Sequence, residues 1–395
     1  MIPLSIPVMA GNEWKYIKEC LDTGWVSSVG PFVNKFEKVL AEYTGTQHAI
    51  ATVNGTAALH LSLIGCGVGA DDEVVVPALT FIAPANAVRY CGAYPVFMDC
   101  DPLTLCIDVE KLSVFFQKEC SKSKDGRLIN KKTKRTIKAV IPVHVFGHPA
   151  DLNALCLLSR KYKIPVIEDA TESIGSEYKG KRTGSFGELG CFSFNGNKIV
   201  TTGGGGMIVT DNKAVADRVR HLSTQAKKDP IEYDHDEIGY NYRLTNVLAA
   251  MGVAQMEKLA DFIEIKRKNA SRYRELLADV DEIDFLWEQP WAKSNFWFYT
   301  IRFPKKFKRP LMQYLLGQDI QVRPIWKLLH TLPMFKDCTA YKIEESVKAY
   351  ETSLNLPCSV NLKPEEIEFV AGCVKKFFTQ QPALKPRYDG AGSPR

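Results

Sequence analysis

Lys198 is the residue of this chain whose type and setting most directly suggest chemistry. It is the only lysine within Gly184–Thr210, GSFGELGCFSFNGNKIVTTGGGGMIVT, and it lies between turn-forming tripeptides and short apolar runs. That pattern predicts a loop between strands, where a lysine adds little to solubility. A desolvated amine loses its proton more easily and then attacks carbonyl carbon. The stretch therefore predicts a lysine that forms a Schiff base.

Two nucleotide-binding motifs are partly similar to this stretch, and neither fits. Lys198 is followed by Ile199 where a P-loop needs Ser or Thr, and no glycine-rich cradle precedes it. Gly203–Gly206 lacks the spacing of a dinucleotide fingerprint and leads into the strand-like MIVT. The alternative to a catalytic lysine is a tight turn between two strands, with glycines supplying positive φ.

Strand-like and helical patterns alternate along the chain that must position Lys198. The strand-like runs are HAIATV, EVVVP, YPVFMD, KAVIPV and IPVIED, and helical stretches such as TAALHLSLIGC and DLNALCLLSRKY lie between most of them. This alternation predicts an α/β fold, a mostly parallel sheet with helices on both faces. Two further helical patterns occupy the first 45 residues.

Ligands of such sheets bind beyond the carboxyl ends of the strands. Asn54–Ala57 is a strand-to-helix turn suited to a phosphate, Phe81 places a ring after the next strand, and Asp169 ends an apolar strand. With Lys198 they supply a phosphate cradle, a stacking ring, an anion and an amine, the set that pyridoxal phosphate needs. The structural alternatives are helix caps at Asn54 and Asp169 and a core position for Phe81.

Composition places the chain among ordinary globular proteins. It has 395 residues, 45% of them hydrophobic, which is enough for two domains or one large and one small. No apolar run is long enough to span a membrane and the N-terminus lacks a signal-peptide pattern, so a cytoplasmic protein is expected. The eleven cysteines are scattered without a C-x-x-C pair, which argues against a disulfide framework or a metal site.

The net charge of +6 is concentrated in one segment, residues 118–138. The segment holds nine Lys or Arg against Glu119 and Asp125, and Asp125-Gly126 is a turn signal. This pattern predicts a solvated hairpin insertion. Recognition of an anionic partner is the alternative, but nucleic acid is not expected because the segment has no aromatic residue for stacking.

The last third of the chain predicts a second, smaller α+β domain. Thr245–Ala278 has the pattern of one long linking helix, and strand-like FWFYTIRF and helical PEEIEFVAGCVKKFF follow. We therefore expect a large cofactor-binding domain over 1–245, the linking helix and small domain over 246–381, and a poorly ordered Pro/Gly-rich tail over 382–395.

Taken in order, the motifs of this chain resemble those of the nucleotide-sugar aminotransferases of the DegT/DnrJ/EryC1/StrS family, which have the type I aminotransferase fold. The resemblance extends from about Met1 to Lys375. The segments that carry it are GWVSSVGPFVNKFE, VNGTAALHLSL, PALTFIAPANAV, VHVFGHPADLNAL, VIEDATESIGSEYKG, GCFSFNGNKIVTTGGGGMI and GYNYRLTNVLAAMG.

The resemblance implies a role for each matching residue. Lys198 would form the Schiff base with pyridoxal phosphate and move the proton, and Asp169 would pair with the pyridine nitrogen. Asn241 would reach the cofactor phosphate of the neighbouring subunit, so a homodimer with composite sites is implied. The remaining cofactor-binding residues are expected to be Gly55, Thr56, Ala57, Phe81, Ser193 and Asn195, with Glu172 as a less regular member.

Glu172 departs from the family pattern, since many members have Gln or His at that place near the cofactor. A second anion beside Asp169 is unfavourable unless a proton or a water intervenes. The family's dehydratases carry histidine in place of the lysine, so Lys198 favours transamination, with L-glutamate as donor and 2-oxoglutarate as product. A non-enzymatic regulator of the same fold would be expected to lack Lys198 or Asp169.

The resemblance is greatest to the branch acting on UDP-linked 2-acetamido-2,6-dideoxy-4-hexuloses, on the way to bacillosamine or legionaminic-type sugars. A GDP- or dTDP-linked keto sugar, a 3-keto position and a dehydratase are the alternatives. Cations, aromatic rings and hydroxyls in loops are the candidate substrate contacts. They are Trp25, Ser27, Ser28, Arg243, Arg323, Trp326, Lys327 and His330. Surface charge and core filling are the alternatives for them.

Overall fold

The computed structural model describes residues 1–229 and 231–380. The predicted tail over 382–395 lies outside these residues, as does Gln381 at the end of the predicted small domain. No helix in the part of the chain described is long and apolar enough to cross a membrane.

The helices and strands follow the predicted alternation. The helices are α1 Glu13–Thr23, α2 Pro31–Thr44, α3 Gly55–Gly65, α4 Ala83–Tyr90, α5 Val109–Lys118, α6 Leu152–Tyr162, α7 Lys213–Ser223, α8 Asn246–Met256, α9 Leu259–Leu276, α10 Lys308–Gly317, α11 Glu345–Thr352 and α12 Pro364–Thr379. The strands are β1 His48–Thr52, β2 Glu73–Pro77, β3 Tyr94–Met98, β4 Cys120–Lys122, β5 Leu128–Asn130, β6 Ile137–Val140, β7 Ile167–Asp169, β8 Glu177–Tyr178, β9 Lys181–Arg182, β10 Leu189–Ser193, β11 Gly206–Thr210, β12 Lys227–Asp229, β13 Asp234–His235, β14 Asp284–Phe285, β15 Ala292–Lys293, β16 Tyr299–Arg302, β17 Arg323–Pro324, β18 Ala340–Tyr341 and β19 Ser353–Leu356.

The large sheet is mostly parallel, as predicted. Its two halves have the strand orders β1-β11-β10-β7 and β6-β2-β3-β18. Two parallel bridges join the halves: Val140 of β6 pairs with Val166, just before β7, and Val143, just after β6, pairs with Asp169 of β7. Strand β11 is antiparallel to both of its neighbours, and the other pairings within the halves are parallel. The carboxyl ends of β1, β7 and β10 therefore meet at one edge.

Helices cover both faces of this sheet because successive side chains of a strand point to opposite faces. In β1, Ile50 packs in the core that contains α3 and α7, whereas Ala49 and Ala51 pack in the core that contains α2 and α8. All three side chains are buried. The predicted α/β fold, a mostly parallel sheet with helices on both faces, is thus confirmed.

A second core is formed by the C-terminal part of the chain. Strands β14, β16, β19 and β17 form an antiparallel sheet, and α9, α10 and α12 pack with it around Tyr273, Tyr299 and Leu311. The division of the chain at residue 245 stays a prediction. Strand β18, from the C-terminal part of the chain, pairs with β3 at the edge of the large sheet. Conversely, Ile2 near the N-terminus forms a bridge with Ile320 in the C-terminal part.

The expectation of one long helix over Thr245–Ala278 is wrong, since α8 ends at Met256 and α9 begins at Leu259. Helix α8 packs against α1 and α2, whereas α9 packs against α12 in the second core. Leu259, Phe262 and Ile263 at the start of α9 share the core of α8, and Ala270 and Tyr273 further along α9 pack in the second core. The basic segment 118–138 contains the antiparallel hairpin β4–β5, with Gly126 at a φ of 83° in its loop.

Candidate active site

Lys198 lies on the loop between β10 and β11, where its backbone N–H donates to the Asn195 carbonyl at 3.0 Å. Its Nζ lies 3.8 Å from the centre of the Trp297 ring. Burial lowers the pKa of Lys198, while the nearby carboxyl groups of Glu172 and Asp169 favour its ammonium form. This environment makes the neutral, nucleophilic amine more accessible than it is for a surface lysine.

Lys198 lines a cavity of about 770 Å³ at the carboxyl edge of the large sheet. The structure brings most of the predicted site residues together around it. Those that line the cavity are Gly55, Thr56, Phe81, Asp169, Glu172, Ser193, Asn195, Lys198, Arg323 and Trp326. The cavity is large enough for a cofactor and part of a substrate.

Asp169 ends β7 and is 2% exposed. Its Oδ1 accepts from the Thr171 N–H at 3.1 Å, and its backbone is held by hydrogen bonds with Pro142 and His144. Burial raises the pKa of Asp169, and the contact with Thr171 and the charge of Lys198 oppose that rise. The backbone of Asp169 is thus held in place, while its carboxyl group accepts few hydrogen bonds from the protein.

Glu172 is also buried, and its Oε2 accepts from the Phe146 N–H at 2.9 Å. Phe146 adopts a φ of 55°, an unfavourable backbone conformation for an aromatic residue. Burial raises the pKa of Glu172 to about 8, with Asp169 adding to the rise and Lys198 opposing it. At pH 7 Glu172 is therefore mostly protonated, which resolves the conflict between two neighbouring anions.

The N-terminus of α3 forms one wall of the cavity. Asn54 caps the helix, and its Oδ1 accepts from the Ala57 N–H at 2.8 Å. The cap uses the Ala57 N–H and Ala57 does not line the cavity, so a phosphate contact of Ala57 stays a prediction that this arrangement does not support. Within the described residues, the N–H groups of Gly55 and Thr56 have no protein acceptor, and they remain the donors of this helix end.

Two glycines allow this helix end to approach the strands. A Cβ on Gly55 would lie 2.9 Å from Cβ of Ser193, and a Cβ on Gly206 would lie 2.4 Å from the backbone of Asn54. Both contacts are too close for any larger residue. The absence of these Cβ atoms brings the free N–H groups beside Ser193 and keeps an anion cradle open between α3 and β10.

Phe81 lines the cavity with 55% of its surface exposed, which is unusual for a large apolar ring. The expected alternative of a core position is therefore wrong. An exposed ring at the entrance of a cavity can stack on a flat ligand.

Several predicted contacts do not line the cavity of their own chain, namely Trp25, Ser27, Ser28, Asn241, Arg243, Lys327 and His330. Arg243 is unsuited to bind a diphosphate here, because its guanidinium pairs with Glu37 at 2.8 Å and both side chains are largely buried. Asn241 is exposed, and the neighbouring Tyr242 carbonyl accepts from the Val53 N–H beside the cavity turn.

Sequence reasoning missed Trp297 and Asn355, which line the cavity from the C-terminal part of the chain. Trp297 precedes β16 inside the run FWFYTIRF, whose pattern predicts a strand. Asn355 lies in β19 beside Arg323 of β17, and its Oδ1 accepts from the Thr300 hydroxyl at 2.7 Å. Both residues lie in apolar, strand-like surroundings, so their types and spacing carried no signal of a site.

The donor set of the cavity fits pyridoxal phosphate. Gly55, Thr56 and Ser193 offer N–H and O–H donors for a phosphate, and Phe81 offers a face for a flat ring. Asp169 offers a carboxylate for a ring nitrogen, and Lys198 offers an amine for an aldehyde.

The chain belongs to the DegT/DnrJ/EryC1/StrS aminotransferase family, which matches residues 7–375. It is thus a pyridoxal phosphate-dependent sugar aminotransferase. It is 36% identical to the GDP-perosamine synthase of Escherichia coli O157:H7, over 96% of this chain and 99% of that protein. It is 38% identical to EpsN of Bacillus subtilis (strain 168), over 92% of each chain. A family aminotransferase structure from Brucella abortus superimposes with a TM-score of 0.85 at 29% identity, covering 93% of this chain and 95% of that one.

Proposed function

We propose that this enzyme transfers the amino group of L-glutamate to the 4-keto group of a nucleotide-linked deoxy-keto sugar, with Lys198 and Asp169 as its catalytic residues. The observation that carries this proposal is the meeting of a buried amine and a buried carboxyl group in one cavity with the free N–H groups of α3.

Bound pyridoxal phosphate supplies an aldehyde that accepts amines and a ring that withdraws electrons. Lys198 would bind this aldehyde and, when free of it, would hold and move a proton between the donor and acceptor positions. Asp169 holds the ring nitrogen protonated, because a buried carboxylate next to a ring N–H favours the cationic form. Gly55, Thr56 and Ser193 anchor the phosphate, and Phe81 limits the orientation of the ring.

The nucleotide is proposed from similarity and from the distal wall of the cavity. Arg323 lines that wall beside Asn355, and no carboxylate in residues 1–229 and 231–380 pairs with its guanidinium. It is the cation in the cavity suited to a diphosphate, with Trp326 able to pack on a sugar or base. A GDP-linked keto sugar agrees with the GDP-perosamine synthase relatives. The UDP-linked 2-acetamido-2,6-dideoxy-4-hexulose is the second candidate.

A homodimer completes the site in this proposal. Asn241 is exposed and lies outside the cavity of its own chain, as do Trp25, Ser27 and Ser28. Trp25 and Val29, on either side of Ser27 and Ser28 in the sequence, have exposed apolar side chains that suit an interface. In a symmetric dimer such a segment can reach the partner's cavity. The cytoplasmic location likewise stays a prediction.

The first test is the absorbance spectrum of the purified protein before and after L-glutamate is added. The visible band of bound pyridoxal phosphate should be lost as the cofactor is aminated. Lys198→Ala should bind the cofactor without covalent attachment and show no turnover. Lys181→Ala, which removes a lysine whose Nζ donates to the Ser185 carbonyl, is the control and should retain activity. Normal transamination by Lys198→Ala would refute the assigned nucleophile.

The substrate is tested with enzyme that L-glutamate has already aminated. GDP- and UDP-linked 4-keto-6-deoxy sugars are added separately, and recovery of the visible band is followed. Faster recovery with the GDP-linked sugar would support the first candidate. Recovery only with the UDP-linked acetamido sugar would replace it, and recovery with neither would refute both.

Composite sites are tested by mixing inactive variants. Lys198→Ala and Asn241→Ala chains are unfolded or dissociated together and reassembled. If Asn241 serves the partner's cavity, one site of each mixed dimer has both residues intact, so activity should return to about a quarter of the wild-type value at most. The absence of any recovery in verified mixed dimers would contradict the exchange of Asn241 between subunits.

A further inference from the structure

Trp297 is the aromatic residue closest to the catalytic amine and has no part in the roles assigned so far. The Nζ of Lys198 lies 3.8 Å from the centre of its ring. This distance is within the range at which an ammonium is attracted to the face of an indole. The side chain is 4% exposed, so little water competes for the ring face.

The Trp297 ring is fixed from two sides. Its Nε1–H donates to the Asn197 carbonyl at 2.8 Å, directly before Lys198 in the chain. Its backbone N–H donates to Asn295 Oδ1 at 2.9 Å, and Asn295 Nδ2 donates to the Glu172 carbonyl at 2.9 Å. Trp297 is thus hydrogen-bonded to the lysine loop and, through Asn295, to the loop of the acidic residue. These hydrogen bonds link the position of the ring to that of the catalytic groups.

The reaction requires Lys198 to hold a proton in a buried place, where burial disfavours its charge. The charged or titratable groups that face it are Asp169 and Glu172. A carboxylate in direct contact with the ammonium can accept its proton, and Asp169 is needed elsewhere in the site. An aromatic face attracts a cation but cannot take its proton. It therefore supports the ammonium without ending its role as an acid.

We propose that Trp297 is a positioning residue whose ring face holds the ammonium of Lys198 when the amine is not attached to the cofactor. Its indole N–H fixes the loop so that the amine stays close to the reacting atoms. The proposal rests on the proposed role of Lys198. It adds a residue from the C-terminal part of the chain, Trp297, to the proton-carrying part of the site.

The test is the titration of Lys198 in the cofactor-free, full-length chain. Its acetylation by acetic anhydride is measured across pH by mass spectrometry, relative to the exposed Lys336. Trp297→Leu removes the ring and should lower the titration midpoint of Lys198 by about one pH unit. Trp297→Phe keeps a ring face without the N–H and should shift the midpoint by less than half as much.

Trp326→Phe is the matched control, because Trp326 lines the same cavity and stacks on Phe146 at 4.7 Å and on Trp297 at 6.4 Å, whereas the Lys198 ammonium lies over the Trp297 ring. It should leave the midpoint of Lys198 unchanged. If Trp297→Leu does not fold, wild-type chain containing 5-fluorotryptophan replaces it, since fluorine weakens the ring face with little change of shape. An unchanged midpoint in that protein, or in a folded leucine variant, would overturn the proposal. An equal shift in Trp326→Phe would also overturn it.

A separate measurement keeps the two proposals distinct. Borohydride treatment of the wild-type chain with pyridoxal phosphate should label the peptide that contains Lys198. Labelling of another lysine would refute the proposed function, whatever the titration shows. In the loaded enzyme, Trp297→Leu should lower kcat and move the pH profile to lower pH, while the KM for L-glutamate changes little.

Discussion

Glu168 and Asp169 are adjacent on β7, are both buried, and have opposite environments. Glu168 accepts hydrogen bonds from His144, Gly184, Phe186 and Gly187 at 2.6–3.0 Å. Burial alone would raise the pKa of Glu168, but His144 and the backbone donors outweigh it, so the pKa is lowered. Asp169 has one backbone donor, from Thr171, and its pKa is raised.

The alternation of side chains along β7 explains the difference. Glu168 points away from the cavity, where the loop over residues 184–187 and the buried His144 surround it. The Nδ1 of His144 accepts from the Ala150 N–H, so its Nε2 carries the hydrogen that is donated to Glu168. Asp169 points into the cavity. A carboxylate that stabilises the fold has all its donors within the protein, whereas one available to a ligand lacks them.

The comparison predicts the largest loss of activity for Asp169→Asn. The amide keeps the size of the side chain but cannot hold a ring nitrogen protonated, so kcat should fall by about 10³-fold. The free energy of unfolding should change little, because Asp169 has few partners. Stopped-flow measurement of the L-glutamate half-reaction and urea unfolding check the two parts. A stable variant with normal kcat would contradict the role of Asp169.

Glu168→Gln should show the converse. The amide N–H₂ group of the variant faces at least one of the hydrogen-bond donors that surround Glu168, and two donors cannot bond to each other. The free energy of unfolding should therefore fall by about 3 kcal/mol at pH 7. Because the pKa of Glu168 is lowered in the fold, its stabilisation is present above its ordinary value of 4.5 and is lost as the pH falls below it. The difference between variant and wild type in urea unfolding should therefore shrink at acid pH. A difference independent of pH would show that Glu168 is not ionised in the fold.

Glu172→Gln should have the smallest effect, since Glu172 is mostly neutral at pH 7. The amide oxygen can still accept from Phe146 N–H, so kcat at pH 7 should stay within about threefold of wild type. The pKa of Glu172 is raised to about 8 in the fold. The free energy of unfolding of the wild-type protein should therefore fall relative to that of Glu172→Gln as the pH rises from about 4.5 to about 8. Urea unfolding of cofactor-free protein at pH 5 and pH 9 checks this, and a constant difference would contradict a raised pKa.

Much of the site was predictable because it lies in loops that follow recognisable strands. Lys198, Asp169, Phe81 and the turn before α3 follow runs whose apolar pattern identifies them as strands of one sheet. The phosphate contact of Ala57 stays a prediction, because a helix cap and a phosphate compete for the same N–H and sequence alone leaves that competition open. Arg243 was assigned as a free cation because Glu37, its partner, is 206 residues away in the chain.

Residue types and local periodicity determined the α/β alternation and identified the candidate lysine and the strand-end carboxylate, because each depends on neighbours within a few positions. The tertiary structure alone decided what surrounds them. It brought Trp297 and Asn355 from the C-terminal part of the chain to the cavity, and it surrounded Glu168 with hydrogen-bond donors that Asp169 lacks. Packing between distant segments sets burial and hydrogen bonding, and these set whether a carboxyl group or an amine is stabilised or reactive.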